Sequence, residues 1–144
     1  MSNLIMTKRL VDGVTILDLS GNIRLGEENV YLHRTLHSLI DEGTKKVLVN
    51  LANISYIDSS GLGELVSGFT SMEKAGGELK LLNLTERVSE LMMITKLLTV
   101  FEAFDDERTA IASFRSAETS AMPTETPVIT QKLVNSGIRK SSIV

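Results

Sequence analysis

Between residues 47 and 82 the apolar residues change their spacing twice, and that switch limits the possible folds more than any other feature of the chain. Val47-Leu48-Val49 is a continuous apolar run flanked by Lys46 and Asn50, too short for a helix and suited to a strand covered on both faces of a sheet. Leu62, Leu65, Val66, Phe69 and Met72 then fall on one helical stripe that stops at Ala75-Gly76-Gly77. Leu79 to Leu82 is a second buried run. A strand, a helix and a strand at this spacing make a crossover unit whose strands are parallel.

The elements on either side extend the pattern. Leu4 to Leu10 and Val14 to Ser20 read as strands joined at Asp12-Gly13, a hairpin-turn dipeptide. Leu32, Leu36, Leu39 and Ile40 share a helical face between Glu27 and Glu42, with Gly43 where a helix-ending glycine belongs. After Leu82, Val88, Leu91, Met92 and Thr95 predict a short helix, Val100-Phe101 a last edge strand, and Ala110, Ile111 and Phe114 a closing helix. Met72 and Met92 fit the core by their period. The fold class expected is α/β: a mixed sheet of four to five strands with about four helices packed on it.

The periodic pattern gives way after Phe114 to Ser116, Ser120, Pro123, Thr124, Thr126 and Pro127, which puts the expected domain at 1–116 and a flexible tail at 117–144. At 144 residues with 42% apolar content, the chain can build one ordinary core without metals or disulfides. It has no cysteine, so a disulfide framework, a thiolate metal site and a cysteine nucleophile are excluded. The start of the chain lacks the order of a signal peptide, and no run approaches the ~18 apolar residues of a membrane span. A cytoplasmic protein without membrane insertion is expected. A net charge of -3 gives no general attraction for nucleic acid, and no direct nucleic-acid partner is expected.

The segment richest in chemistry is Asp58-Ser59-Ser60-Gly61-Leu62-Gly63, between the central strand and the second helix. Asp and Ser cap helix starts well because their oxygens accept amides left unpaired in the first turn, so a purely structural account of Asp58, Ser59 and Ser60 is adequate on the residues alone. Gly61 and Gly63 are expected to permit a tight turn and close backbone packing. A dinucleotide-binding loop fails, because Val66 stands where Gly or Ala is needed, and no G-x-x-x-x-G-K-[ST] occurs. A small serine hydrolase using Ser59 or Ser60 is the enzyme alternative; G-x-S-x-G is absent, and no suitably placed histidine follows the serines. His33 and His37 are spaced i, i+4, as some zinc ligands are, but the glutamate beside the first histidine and a third ligand are missing; no metal is expected.

From residue 4 to residue 114, the order of elements resembles the STAS family, specifically the bacterial anti-sigma factor antagonists. Val47-Leu48-Val49-Asn50-Leu51 leading to Tyr56-Ile57-Asp58-Ser59-Ser60-Gly61-Leu62-Gly63 carries the resemblance, with Ala75-Gly76-Gly77-Glu78-Leu79 and Val100-Phe101 downstream. The resemblance implies a non-enzymatic binding module without a cofactor. It implies that Ser59, directly after the aspartate, accepts phosphate from an anti-sigma factor serine kinase of the histidine-kinase-like ATPase fold, and that a metal-dependent serine phosphatase removes it. The unmodified form would bind the kinase and free its sigma factor. The recognition surface expected is Ser55 to Ser60 with the first turns of the second helix, drawing on Tyr56, Asp58, Ser59, Ser60, Gly61, Leu62, Gly63 and Arg24, in a monomer or weak dimer. The alternative within the fold is a STAS module that regulates a transporter or another ATPase. This chain departs from the family at Gly21-Asn22-Ile23-Arg24, where Gly-Glu-Leu-Asp is frequent. Arg24 is thus a pairing group for a phosphoryl on Ser59, a mark of a cycle altered or lost, or an ordinary solvated loop residue.

Overall fold

The computed structural model describes residues 3–114; the expected boundary at 116 and the tail 117–144 lie outside the described residues. Five strands, β1 (Leu4–Val11), β2 (Val14–Ile23), β3 (Lys46–Ile57), β4 (Glu78–Leu82) and β5 (Ala103–Phe104), form a sheet in the order β1-β2-β3-β4-β5. The helices are α1 (Glu27–Asp41), α2 (Ser59–Lys74), α3 (Glu86–Ile94) and α4 (Glu107–Ala112). The β1–β2 pair is antiparallel and every other pairing is parallel, which gives the mixed sheet expected. At the hairpin tip Asp12 and Gly13 both take positive φ, as a two-residue turn matching the twist of its strands requires.

The apolar alternation explains the two layers. Val47, Val49 and Leu51 of β3 and Leu79 and Leu81 of β4 face a larger core. There they meet Leu32, Leu36 and Leu39 of α1, Leu62, Leu65 and Met72 of α2, and Val88 and Met92 of α3. Leu48 and Leu82 point the other way, onto a smaller core with Val14, Ile16, Ala110 and Phe114 under α4. Strands β3 and β4 are therefore covered on both faces, and their sequences read as continuous apolar runs. Lys80 alternates with Leu79 and Leu81, so it projects to the α4 side. Though buried, it is fully answered: its Nζ donates to the Ser113 carbonyl at 2.9 Å and to Ser113 Oγ at 3.0 Å, and pairs with Glu102 at 2.8 Å. That cation ties the end of α4 to the sheet.

Two expectations need correction. The last strand is not Val100-Phe101 but Ala103–Phe104, two residues paired with Leu81 and Leu82. Phe101 turns inward instead, buried in the larger core with its ring edge-on to Phe69 at 5.3 Å between centroids. An aromatic ring placed for the core outcompetes two more residues of edge pairing. The central strand is also longer than its apolar run. It continues to Ile57 by pairing with β2 alone, Asn53 with Ser20, Ile54 with Gly21, Tyr56 with Asn22 and Ile57 with Ile23. Beyond Asn50 it has lost β4 as a neighbour, and burial there is kept only at Leu51, Ile54 and Ile57. Ser55 and Tyr56 accordingly lie in strand, and the expected recognition loop is a strand end followed directly by a helix start.

Candidate functional site

Only Asp58 separates the end of β3 from the start of α2. Its backbone is extended, and its amide donates to the Ile23 carbonyl at the end of β2, 3.3 Å away. The side chain is the N-cap: Oδ1 accepts the Gly61 amide at 2.9 Å and the Ser60 hydroxyl at 2.6 Å. Oδ2 accepts the Leu25 amide, from the turn between β2 and α1, at 3.1 Å. Burial pushes the Asp58 carboxyl up, but hydrogen bonds from the Ser60 hydroxyl and from the amides of Gly61, Leu25 and Ser60 outweigh it and hold the carboxyl below its ordinary range. Asp58 is a fixed negative charge at neutral pH that joins α2 to the β2–α1 turn.

The two serines behind it differ. Ser60 is half-buried and its hydroxyl is committed to Asp58. Ser59, the first residue of α2, is exposed, and among the described residues its hydroxyl makes no hydrogen bond. It sits at the N-terminal end of α2, where added negative charge is stabilised by the helix dipole. The Ser59 hydroxyl is the more accessible of the two, and modifying Ser60 would remove its hydrogen bond to Asp58.

Of the two glycines expected to allow close packing, one does. A Cβ on Gly61 would lie 2.5 Å from the Ile23 carbonyl oxygen, 2.8 Å from Ile23 Cγ2 and 3.0 Å from Ile57 Cγ1. The missing side chain is what lets α2 begin against the ends of β2 and β3. Gly63 corrects the expectation: it is exposed, and a Cβ there would meet nothing within 4 Å. Its bareness leaves the first turn of α2 open on the solvent side. Leu62 is only 1% exposed, so its side chain anchors the helix in the core and adds nothing to the surface.

Arg24 lies at the turn after β2, next to the Leu25 amide that Asp58 holds. Its guanidinium, 45% exposed, pairs loosely with Glu28, Nε to Oε1 at 3.2 Å and Nη2 to Oε2 at 3.4 Å. Glu28 is 6% exposed and also accepts the amides of Arg24 and Asn3, both at 3.1 Å. The hydrogen bond from Arg24 is the main cause that holds the Glu28 carboxyl below its usual value. Arg24 is therefore a solvated turn residue whose side-chain partner is Glu28 and not the unmodified Ser59. Tyr56 is half-buried at the end of β3, with the Arg87 guanidinium 4.7 Å from its ring centroid.

Two residues of this surface, Glu28 and Leu25, escaped the sequence reading. Arg24 and Glu28 are four apart at a helix entrance, a spacing that pairs charges, so Glu28 carried a readable signal. Leu25 carried none, since its partner Asp58 is distant in sequence. His33 Nδ1 donates to the Glu64 carboxylate at 2.7 Å, and its ring lies tilted against that of His37 at 4.2 Å between centroids; neither imidazole is hydrogen-bonded to Ser59 or Ser60. Among the described residues no three His, Cys, Asp or Glu side chains are grouped to hold a metal ion, and no helix is long and apolar enough to cross a membrane.

Comparison with known proteins follows the same outline. The STAS domain family model matches residues 6–110. BtrV of Bordetella bronchiseptica, a candidate anti-sigma factor antagonist, is 28% identical over 112 residues, covering 78% of this chain and 96% of BtrV. The anti-sigma-B factor antagonist of Staphylococcus epidermidis is 41% identical over 76 residues, 50% of this chain and 70% of that protein. Among solved structures, the Bacillus cell fate determinant SpoIIAA in its phosphorylated form matches with a TM-score of 0.61 at 19% identity, over 75% of this chain and 97% of that one. A sulfate transporter family protein from Wolinella succinogenes matches with a TM-score of 0.59 at 22% identity, over 73% and 87%. At such identities the two structures speak for the fold.

Proposed function

Because the chain belongs to the STAS domain family, we propose that it is a non-enzymatic anti-sigma factor antagonist of the cytoplasm, switched off by phosphorylation of Ser59. The unmodified protein binds an anti-sigma factor that is also a serine kinase, and the bound sigma factor is released. The kinase transfers phosphate to Ser59, the complex dissociates, and a serine phosphatase restores the binding form. The recognition surface consists of Arg24, Tyr56, Ser59, Ser60 and the open side of Gly63, held in place by Asp58, Gly61 and Leu62. The antagonist reading is favoured over a transporter module by the 41% identity to the staphylococcal antagonist.

The observation that carries the reading is the contrast between the two serines: an exposed Ser59 hydroxyl on the first residue of α2, beside a Ser60 hydroxyl locked onto Asp58. Added phosphate brings roughly -1.5 to -2 charge at neutral pH. On Ser59 that charge meets the positive end of a helix, so the fold tolerates it. A docked partner must instead desolvate a dianion beside the Asp58 carboxylate, a cost on the order of several kcal/mol unless basic groups answer it.

The test is reconstitution. The purified protein is titrated into complexes of each anti-sigma factor kinase from its own organism with the matching sigma factor. Stoichiometric release of one sigma factor is expected by size-exclusion chromatography; failure with every kinase, alongside capture by a transporter's cytoplasmic domain, removes the antagonist reading.

A further inference from the structure

We infer that Leu25 is the apolar anchor of the docking surface, seated in a pocket of the anti-sigma factor whose rim carries a carboxylate for Arg24. The inference rests on the antagonist reading above. Leu25 is 77% exposed, yet it is not on a loose loop. Two carboxylates from opposite sides hold consecutive amides of its turn: Glu28 takes the Arg24 amide at 3.1 Å, and Asp58 takes the Leu25 amide at 3.1 Å. The turn closes with the Asn29 amide on the Arg24 carbonyl at 3.2 Å and the Val30 amide on the Gly26 carbonyl at 3.0 Å. A large apolar side chain is thus displayed on a backbone that is already ordered, so burying it against a partner incurs little further loss of freedom.

Its position ties it to the switch. The Asp58 carboxylate that fixes the Leu25 amide also caps α2 ahead of Ser59, so the anchor and the phosphate acceptor share one face of the molecule. Val30 and Tyr31 are also exposed, on α1 just beyond this turn, but neither amide is held by Asp58; Ile5 and Leu10 lie on β1 at the far edge of the sheet, and Met93 and Ile94 at the end of α3. Charge sets the rest of the partner's chemistry. Arg24 adjoins Leu25, is half-exposed, and is paired with Glu28 only at 3.2 to 3.4 Å, so its guanidinium has donors left for an incoming carboxylate. A pocket that closes over Leu25 with an acidic rim would lose its fit when Ser59 gains a dianion on the same face, since like charges brought together across an interface are penalised.

The test uses the full chain and the purified anti-sigma factor kinases of its organism, with affinities measured by calorimetry for wild type, Leu25→Ser, Leu25→Gln, Leu25→Met and the control Leu10→Ser. Leu10 is 74% exposed, a match for Leu25 in everything but place. Loss of a fully buried leucine contact predicts that Leu25→Ser and Leu25→Gln bind at least about tenfold more weakly, that Leu25→Met stays within about threefold, and that Leu10→Ser is unchanged. Melting temperatures should agree across the set, because neither leucine is packed. If wild type binds and the Leu25 variants bind as Leu10→Ser does, the anchor is wrong while the antagonist reading survives. If wild type binds none of the kinases, the antagonist reading fails and the anchor falls with it.

Discussion

Replacing Ser59 by aspartate is expected to weaken the complex with the anti-sigma factor by roughly tenfold to a hundredfold, which corresponds to about 1.4 to 2.8 kcal/mol. The substitution adds one negative charge where phosphate would add nearly two, so it should reproduce part of the effect of modification. Ser59 is the first residue of α2, and an acidic side chain in a first helical turn is ordinarily favourable by ~0.3–1 kcal/mol. Repulsion from the ionised Asp58 works against that gain, so the melting temperature should barely move. The combination discriminates: weak binding with an unchanged melt means that charge at the surface acts on docking, whereas equal affinity for wild type and Ser59→Asp would remove charge as the basis of the switch.

The second large effect is on the scaffold. Gly61→Ala should destabilise the protein by about 3 kcal/mol, because the added Cβ meets backbone and not a pliable side-chain tip. The Ile23 carbonyl oxygen 2.5 Å from that Cβ is also the acceptor for the Asp58 amide, so relief requires lifting the start of α2 off the end of β2. Urea denaturation should show the midpoint falling with an unchanged slope. Gly63→Ala, two residues on, is the internal comparison. Its Cβ enters open space, so it should gain up to about 1 kcal/mol from helix propensity, and any loss of partner affinity it causes is a loss of access to the helix face. Equal destabilisation by both alanines would contradict the packing described for Gly61.

What was legible in the sequence follows from which signals are local. Period and turn chemistry fixed the order of elements. Val47-Leu48-Val49 was continuous because β3 is covered on both faces, and Asp12-Gly13 named its hairpin because both residues must take positive φ. The edge strand was misplaced because two residues of pairing leave no period to read, while Phe101 gives the same apolar signal whether it enters a strand or a core. The extension of β3 to Ile57 was hidden because pairing on one side with β2 leaves a mixed pattern that resembles a loop.

The candidate site divides in the same way. Asp58 as a cap followed from residue type, and the selection of Ser59 over Ser60 came from the resemblance. The geometry adds a physical reason for that choice, because the Ser60 hydroxyl is held by Asp58. The embrace of Arg24 by Glu28, the hold of Asp58 on the Leu25 amide and the stacking of Arg87 on Tyr56 are long-range or conformational facts. The arginine at position 24 was the plainest departure from the family pattern, and its answer lay four residues away, in a glutamate buried by the turn it holds.

The central claim is tested most directly by locating the phosphate. Wild type, Ser59→Ala and Ser60→Ala are incubated with the anti-sigma factor kinase and ATP, and the modified residue is mapped by mass spectrometry. Modification confined to Ser59, abolished in Ser59→Ala and retained in Ser60→Ala, is the predicted result. Phosphate on Ser60 in the wild type, or undiminished labelling of Ser59→Ala, would contradict it.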